Sequence, residues 1–272
     1  MLNKCEYVSP QGCRAPLLPE SSGIETPIMN TLPHDHSVGA PLVTALVVGV
    51  ALALCAKQGL ALSGLYLIKV ACVLAFVVWL LHRAMRRSSG HNGHFGLANQ
   101  VTLARAVLVV LLLGLLGEDG GAQVMWSAVI IAAMASVTDA LDGWLARRMG
   151  IVSDFGARFD METDAALIAV LALLAWTWQR AGDWVLLAGA ARYVFVVGTY
   201  YCHWMRAQLP SSLRRKVVCV LQVVTLVVCL VPLLTPAASA LIAAAGVFAL
   251  LGSFTVDTLW LARHSRDLSR GE

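Results

Sequence analysis

Thr138-Asp139-Ala140-Leu141-Asp142-Gly143-Trp144-Leu145-Ala146-Arg147, followed by Phe155-Gly156-Ala157-Arg158-Phe159-Asp160-Met161-Glu162-Thr163-Asp164, places four aspartates at the junction of two apolar runs, 122–141 and 164–178. Asp139 and Asp142 are three residues apart, and Asp160 and Asp164 are four apart. Both spacings put side chains on one face of a helix. The first pair closes one predicted helix and the second pair opens the next. Antiparallel neighbours therefore aim four carboxylates at one point. Four such groups repel and take up protons unless a cation joins them. A hard divalent ion, Mg²⁺ or Mn²⁺, is the partner their oxygens suit.

Composition sets the surroundings of this cluster. The chain has 272 residues, of which 58% are hydrophobic and 13% charged, against roughly 25% charged in soluble domains. Crossing the hydrocarbon layer takes roughly 20 apolar residues as helix. Windows near that length occur at 38–56, 60–81, 101–116, 122–141, 164–178, 184–203, 217–234 and 237–262. Short loops between them, such as Gly117-Glu118-Asp119-Gly120-Gly121 and Thr235-Pro236, favour antiparallel neighbours. The expected fold is an all-α, polytopic membrane helix bundle. Its partners are membrane lipids, with no nucleic acid among them. Seven cysteines without a CxxC pair read as small buried thiols rather than a disulfide framework or zinc site.

Basic residues fall in alternate loops: Arg83, Arg86 and Arg87; Arg147, Arg148 and Arg158; Arg206, Arg214, Arg215 and Lys216; then Arg263, Arg266 and Arg270. The other loops hold little beyond Lys57 and Arg180. The positive-inside rule then places both termini and the aspartates on the cytoplasmic side of a multi-pass protein, expected in the bacterial inner (plasma) membrane. Residues 1–37, polar and rich in proline, read as a flexible tail without the features of a cleavable signal peptide. Residues 38–95 form two helices and a linker, 96–262 a six-span core, and 263–272 a basic C-terminal tail.

The pattern Asp139-x2-Asp142-Gly143-x2-Ala146-Arg147-x8-Gly156-x3-Asp160-x3-Asp164 resembles the signature of the CDP-alcohol phosphatidyltransferases at every defined position. The resemblance covers the six-span core and leaves the two N-terminal spans outside. It implies transfer of a phosphoalcohol from a CDP-linked lipid, such as CDP-diacylglycerol, to an alcohol, with release of CMP. It also implies two divalent ions held by Asp139, Asp142 and Asp160, with Asp164 as general base and further metal contact. Gly143, Ala146, Arg147 and Gly156 match nucleotide-side positions. Asn99-x2-Thr102-x2-Arg105 is similar to another family element near the nucleotide, with Ala98 where proline is frequent. Arg105 itself reads equally well as an arginine snorkelling to the interface. By the same resemblance a homodimer is expected.

Arg192 interrupts an apolar window and Arg214, Arg215 and Lys216 open the next. Members of the family that use phosphorylated acceptors carry basic residues in similar regions, and the guanidinium fork suits phosphate. Glycerol 3-phosphate is therefore the leading acceptor, with inositol phosphate or serine as alternatives. Gln222 and Asp257 are expected to make hydrogen bonds inside the bundle, and Glu162 to face away from the aspartates. A cation transporter would also use intramembrane acids, but such sites usually lie near the midplane of repeated halves. No repeat is evident here, and the aspartates lie at the basic boundary.

Overall fold

A computed structural model describes residues 39–88, 97–149, 154–201 and 213–270, all within one compact unit, His36–Glu272. The tail 1–37 and the linker histidines His91 and His94 lie outside the described residues. Eight α-helices are described: α1 (Gly39–Leu60), α2 (Gly64–Ser88), α3 (Leu97–Gly114), α4 (Ala122–Met149), α5 (Asp154–Thr177), α6 (Leu186–Tyr201), α7 (Leu213–Cys229) and α8 (Pro236–Arg270). There is no strand among the described residues.

Among the described residues, four helical stretches are long and apolar enough to cross a membrane: Gly39–Leu60, Gly64–Met85, Ala122–Asp139 and Pro236–Ala262. Asn99–Gly114 is a shorter apolar helix. The chain is an integral membrane protein built as an all-α bundle. Each expected span corresponds to a helix, but with corrected ends. Helix α7 stops at Cys229, not near 234, and has 17 residues, while α6 has 16. Helices α4 and α5 run past their apolar windows into the charged stretch between them, and α8 continues through the basic residues to Arg270.

Helices α3 and α5 form the centre. Val107, Val110, Leu112, Leu171, Leu174 and Ala175 are all buried. Around them α3 packs on α1, α2, α4 and α5, while α5 also packs on α6 and α7, and α7 on α8. Outward-facing positions such as Val47, Ile68, Val194, Leu241 and Phe248 are apolar and exposed. That inversion of a soluble surface is what lipid contact requires.

Close approach of helices depends on small residues. A Cβ on Gly114 would meet Val70 and Tyr66 on α2, and one on Gly189 would lie 2.9 Å from the Ala169 backbone on α5. Gln222 is fully buried on α7 beside Gly246 of α8. Its amide has no hydrogen-bond partner among the described residues, so the expected cross-helix bond is not made.

Polar bonds tie the loops at the bundle end opposite the aspartates. Ser63 donates to Glu118 from its backbone N–H at 3.1 Å and from its hydroxyl, and Lys69 donates to the Leu116 carbonyl. Burial favours a neutral Glu118 carboxyl, but the Ser63 donors and then Lys69 outweigh it and hold its pKa below the usual value. Helix α5 ends with Gln179 at φ 55°, while the Arg180 N–H bonds the Ala175 carbonyl at 2.8 Å, a left-handed cap. The buried Arg180 side chain donates to the carbonyls of Cys229, Val231 and Leu234.

Candidate active site

Three helices build the site. Asp139 comes from α4, Asp160 and Asp164 from α5, and Arg105 from α3. One carboxylate oxygen from each aspartate lies within 4.8 Å of the others. At that distance two unit charges repel by about 3 kcal/mol in surroundings of effective dielectric ~20. The carboxylates are not sealed off: their side chains are 41%, 41% and 36% exposed, so ions and substrate have access. Oxygen donors, like charge and partial exposure together form a set that fits a hard divalent cation.

Arg105 is the residue that sequence reasoning misjudged. It does not snorkel. Its side chain is 1% exposed and its fork faces the aspartates. Nη1 donates to Asp139 Oδ1. Nη2 donates to Asp164 Oδ1 at 2.8 Å and to the Asp160 backbone carbonyl at 3.1 Å, and lies 2.9 Å from Asp160 Oδ1. One guanidinium thus meets all three carboxylates. A signal was present in the sequence: an arginine inside an apolar helix needs an acid, and the aspartates were the acids in reach.

The other expected residues divide into groups. Asn99 and Thr102 are buried on α3 together with Arg105. Gly156 lies in the first turns of α5, before Asp160. Asp142, Gly143, Ala146 and Arg147 lie on α4, but their side chains are outside the described residues. Arg192 on α6 donates to Glu162 of α5 at 2.6 Å. Glu162 is thus tied to α6 and is not one of the three acids whose oxygens converge. Arg214 on α7 pairs with Asp257 on α8, and Arg215 Nη1 lies 3.9 Å from the same oxygen. Lys216 is exposed. The basic residues therefore form two ion-paired sets, neither of them within the trio itself.

Comparison with known proteins concerns the sequence that carries this site. A protein of Bacillus subtilis named CDP-diacylglycerol–glycerol-3-phosphate 3-phosphatidyltransferase is 25% identical over 115 residues, 38% of this chain and 60% of that protein. The chain thus spans less than two thirds of that relative's length. A Mycobacterium tuberculosis protein named "Probable phosphatidylglycerophosphate synthase" is 34% identical over 182 residues, 63% of this chain and 83% of that one. A Rickettsia felis protein with the same name as the Bacillus relative is 27% identical over 132 residues, 48% of this chain and 72% of that one. The chain matches no solved structure. The profile of the family described as CDP-alcohol phosphatidyltransferase matches residues 95–251, more than half of the chain, and takes in Arg105 and all four aspartates; the protein belongs to that family.

Proposed function

We propose that this protein transfers the phosphatidyl group of CDP-diacylglycerol to the hydroxyl of glycerol 3-phosphate and releases CMP. One observation carries the reading: Asp139, Asp160 and Asp164 meet within 4.8 Å inside the segment that the family profile matches. The names of the relatives supply the donor and the acceptor.

In this reading Asp139, Asp142, Asp160 and Asp164 hold two divalent ions, Mg²⁺ or Mn²⁺, which when bound neutralise pyrophosphate charge. The acceptor oxygen forms a bond to the phosphatidyl phosphorus while the bond from that phosphorus to CMP breaks. Asp164 takes the proton leaving the acceptor hydroxyl. Gly143, Ala146, Arg147 and Gly156, with Asn99 and Thr102, border the nucleotide. Arg192, Arg214, Arg215 and Lys216 meet the acceptor phosphate, for which planar forks and positive charge are suited.

The alternating basic loops support an active site on the cytoplasmic face of a bacterial inner membrane, with both termini on that side. The active form is a homodimer. Residues 96–262 are the catalytic core and 38–95 an added helix pair, in keeping with a family match that begins at residue 95. Residues 1–37 are a terminal tail, and 263–270 are the basic end of α8.

The test is CMP release by the purified full chain given CDP-diacylglycerol, Mg²⁺ or Mn²⁺, and in turn glycerol 3-phosphate, inositol phosphate and serine. Release with glycerol 3-phosphate that stops on chelation is the expected result. Release only with another alcohol replaces the acceptor. No release with any alcohol, alongside cation uptake into vesicles, turns the reading toward transport.

A further inference from the structure

We infer that Arg105 is a resident counter-cation of the aspartate trio and competes with divalent ions for its oxygens. The inference rests on the reading of the trio as a metal site and adds to it what sets the affinity of that site.

A buried charge survives only when paired. Arg105 is 1% exposed, and its partners are the three aspartates that converge from α4 and α5. Each of them gives one side-chain oxygen to a position within ion-pairing distance of the guanidinium. The Arg105 Nε, also buried, has no hydrogen-bond partner among the described residues. The fork is therefore seated by the trio and by the Asp160 carbonyl. It puts one positive charge among three carboxylates confined within 4.8 Å, where α3 packs on both α4 and α5.

The same geometry makes Arg105 a rival of metal. A guanidinium and a divalent ion held by one set of carboxylates repel each other, and a carboxylate oxygen turned to one cation is turned from the other. Metal entry must therefore weaken or displace the Arg105 contacts. Part of the binding free energy goes into that exchange, and the affinity is lower than the trio alone would give. A weaker site is also one that empties when the chelating phosphates of the product leave.

The experiment measures Mn²⁺ affinity and unfolding temperature, not turnover. Wild type, Arg105→Gln and Arg105→Lys are purified as full chains in detergent with Mn²⁺ present. Dissociation constants follow from chelator competition read by the EPR signal of free Mn²⁺, so a variant that unfolds without metal is still measurable. Arg105→Gln is expected to bind Mn²⁺ at least tenfold more tightly and to unfold at lower temperature in chelator. Arg105→Lys, which has no fork to span three carboxylates, is expected to fall between it and wild type. Unchanged or weaker Mn²⁺ binding in both variants, with wild type binding normally, overturns the competition and leaves the metal site standing. Absence of Mn²⁺ binding in wild type overturns the metal reading itself.

Discussion

Asp257 on α8 pairs with Arg214 on α7, and the same carboxylate oxygen stands 3.9 Å from Arg215 Nη1. Consecutive helix residues point about 100° apart, so this acid sits between two side chains that would otherwise diverge. Asp257 is 10% exposed at its side chain, which makes the pair costly to break from one side. Asp257→Asn is expected to raise the KM for a phosphorylated acceptor about tenfold, equivalent to ~1.4 kcal/mol, with a smaller change in kcat. Acceptor titrations at saturating donor measure it. If folded variant protein keeps the wild-type KM, Asp257 serves packing alone.

Arg192 and Glu162 form a looser pair, 26% and 59% exposed at their side chains. Exposed ion pairs contribute about 0–1 kcal/mol. Glu162→Gln should accordingly leave the unfolding temperature nearly unchanged. Arg192→Ala should instead raise the KM for glycerol 3-phosphate about tenfold or more while the donor KM holds, because the phosphate loses a charge-assisted contact. Parallel titrations of both substrates decide it. Equal weakening of donor and acceptor would place Arg192 outside the acceptor pocket.

Asp164→Asn keeps the side-chain shape and an oxygen facing Arg105 but cannot take a proton. A positioned base contributes about 10²–10⁴-fold to rate, and turnover should drop by that order while CDP-diacylglycerol binding persists. Single-turnover CMP release, run beside a binding isotherm, separates the two quantities. Turnover within a few-fold of wild type would remove the base assignment.

Gly189 of α6 lies against Ala169 of α5. A methyl group there would come 2.9 Å from the Ala169 Cα, and backbone cannot swing aside as a side-chain tip can. Overpacking of this kind costs about 1–3 kcal/mol. Gly189→Ala is expected to lower the unfolding temperature in detergent and, by shifting α6, to raise the acceptor KM through Arg192. Thermal melts of the variant with unaltered stability would show that the two helices part freely.

Much of this arrangement is legible in the order of the amino acids alone. Apolar windows mark eight helices because span length and hydrophobicity are local properties. The i, i+4 spacing of Asp160 and Asp164 puts both on the face of α5 that meets Asp139, while the side chain of Asp142, the i, i+3 partner of Asp139, lies outside the described residues. The helix ends are less legible. Polar first turns of α5 and the extension of α4 lie outside the hydrocarbon windows, where composition no longer marks a boundary. Least legible are the partners of the cations that face other helices. Arg105 meets acids 34 and 59 residues away, and Arg214 meets one 43 away. Tertiary packing, not spacing, selects those pairs.

Arg180 gives a last consequence. Helix α7, with 17 residues, is about 26 Å long, short of a hydrocarbon layer of about 30 Å. Its last carbonyls, and those of the turn that follows, have no partner within the helix. By donating to Cys229, Val231 and Leu234, Arg180 acts as their private solvent. A cation on the sparsely charged side is consequently no marker of orientation: it holds together the carbonyls of the turn by which the chain leaves α7 for α8.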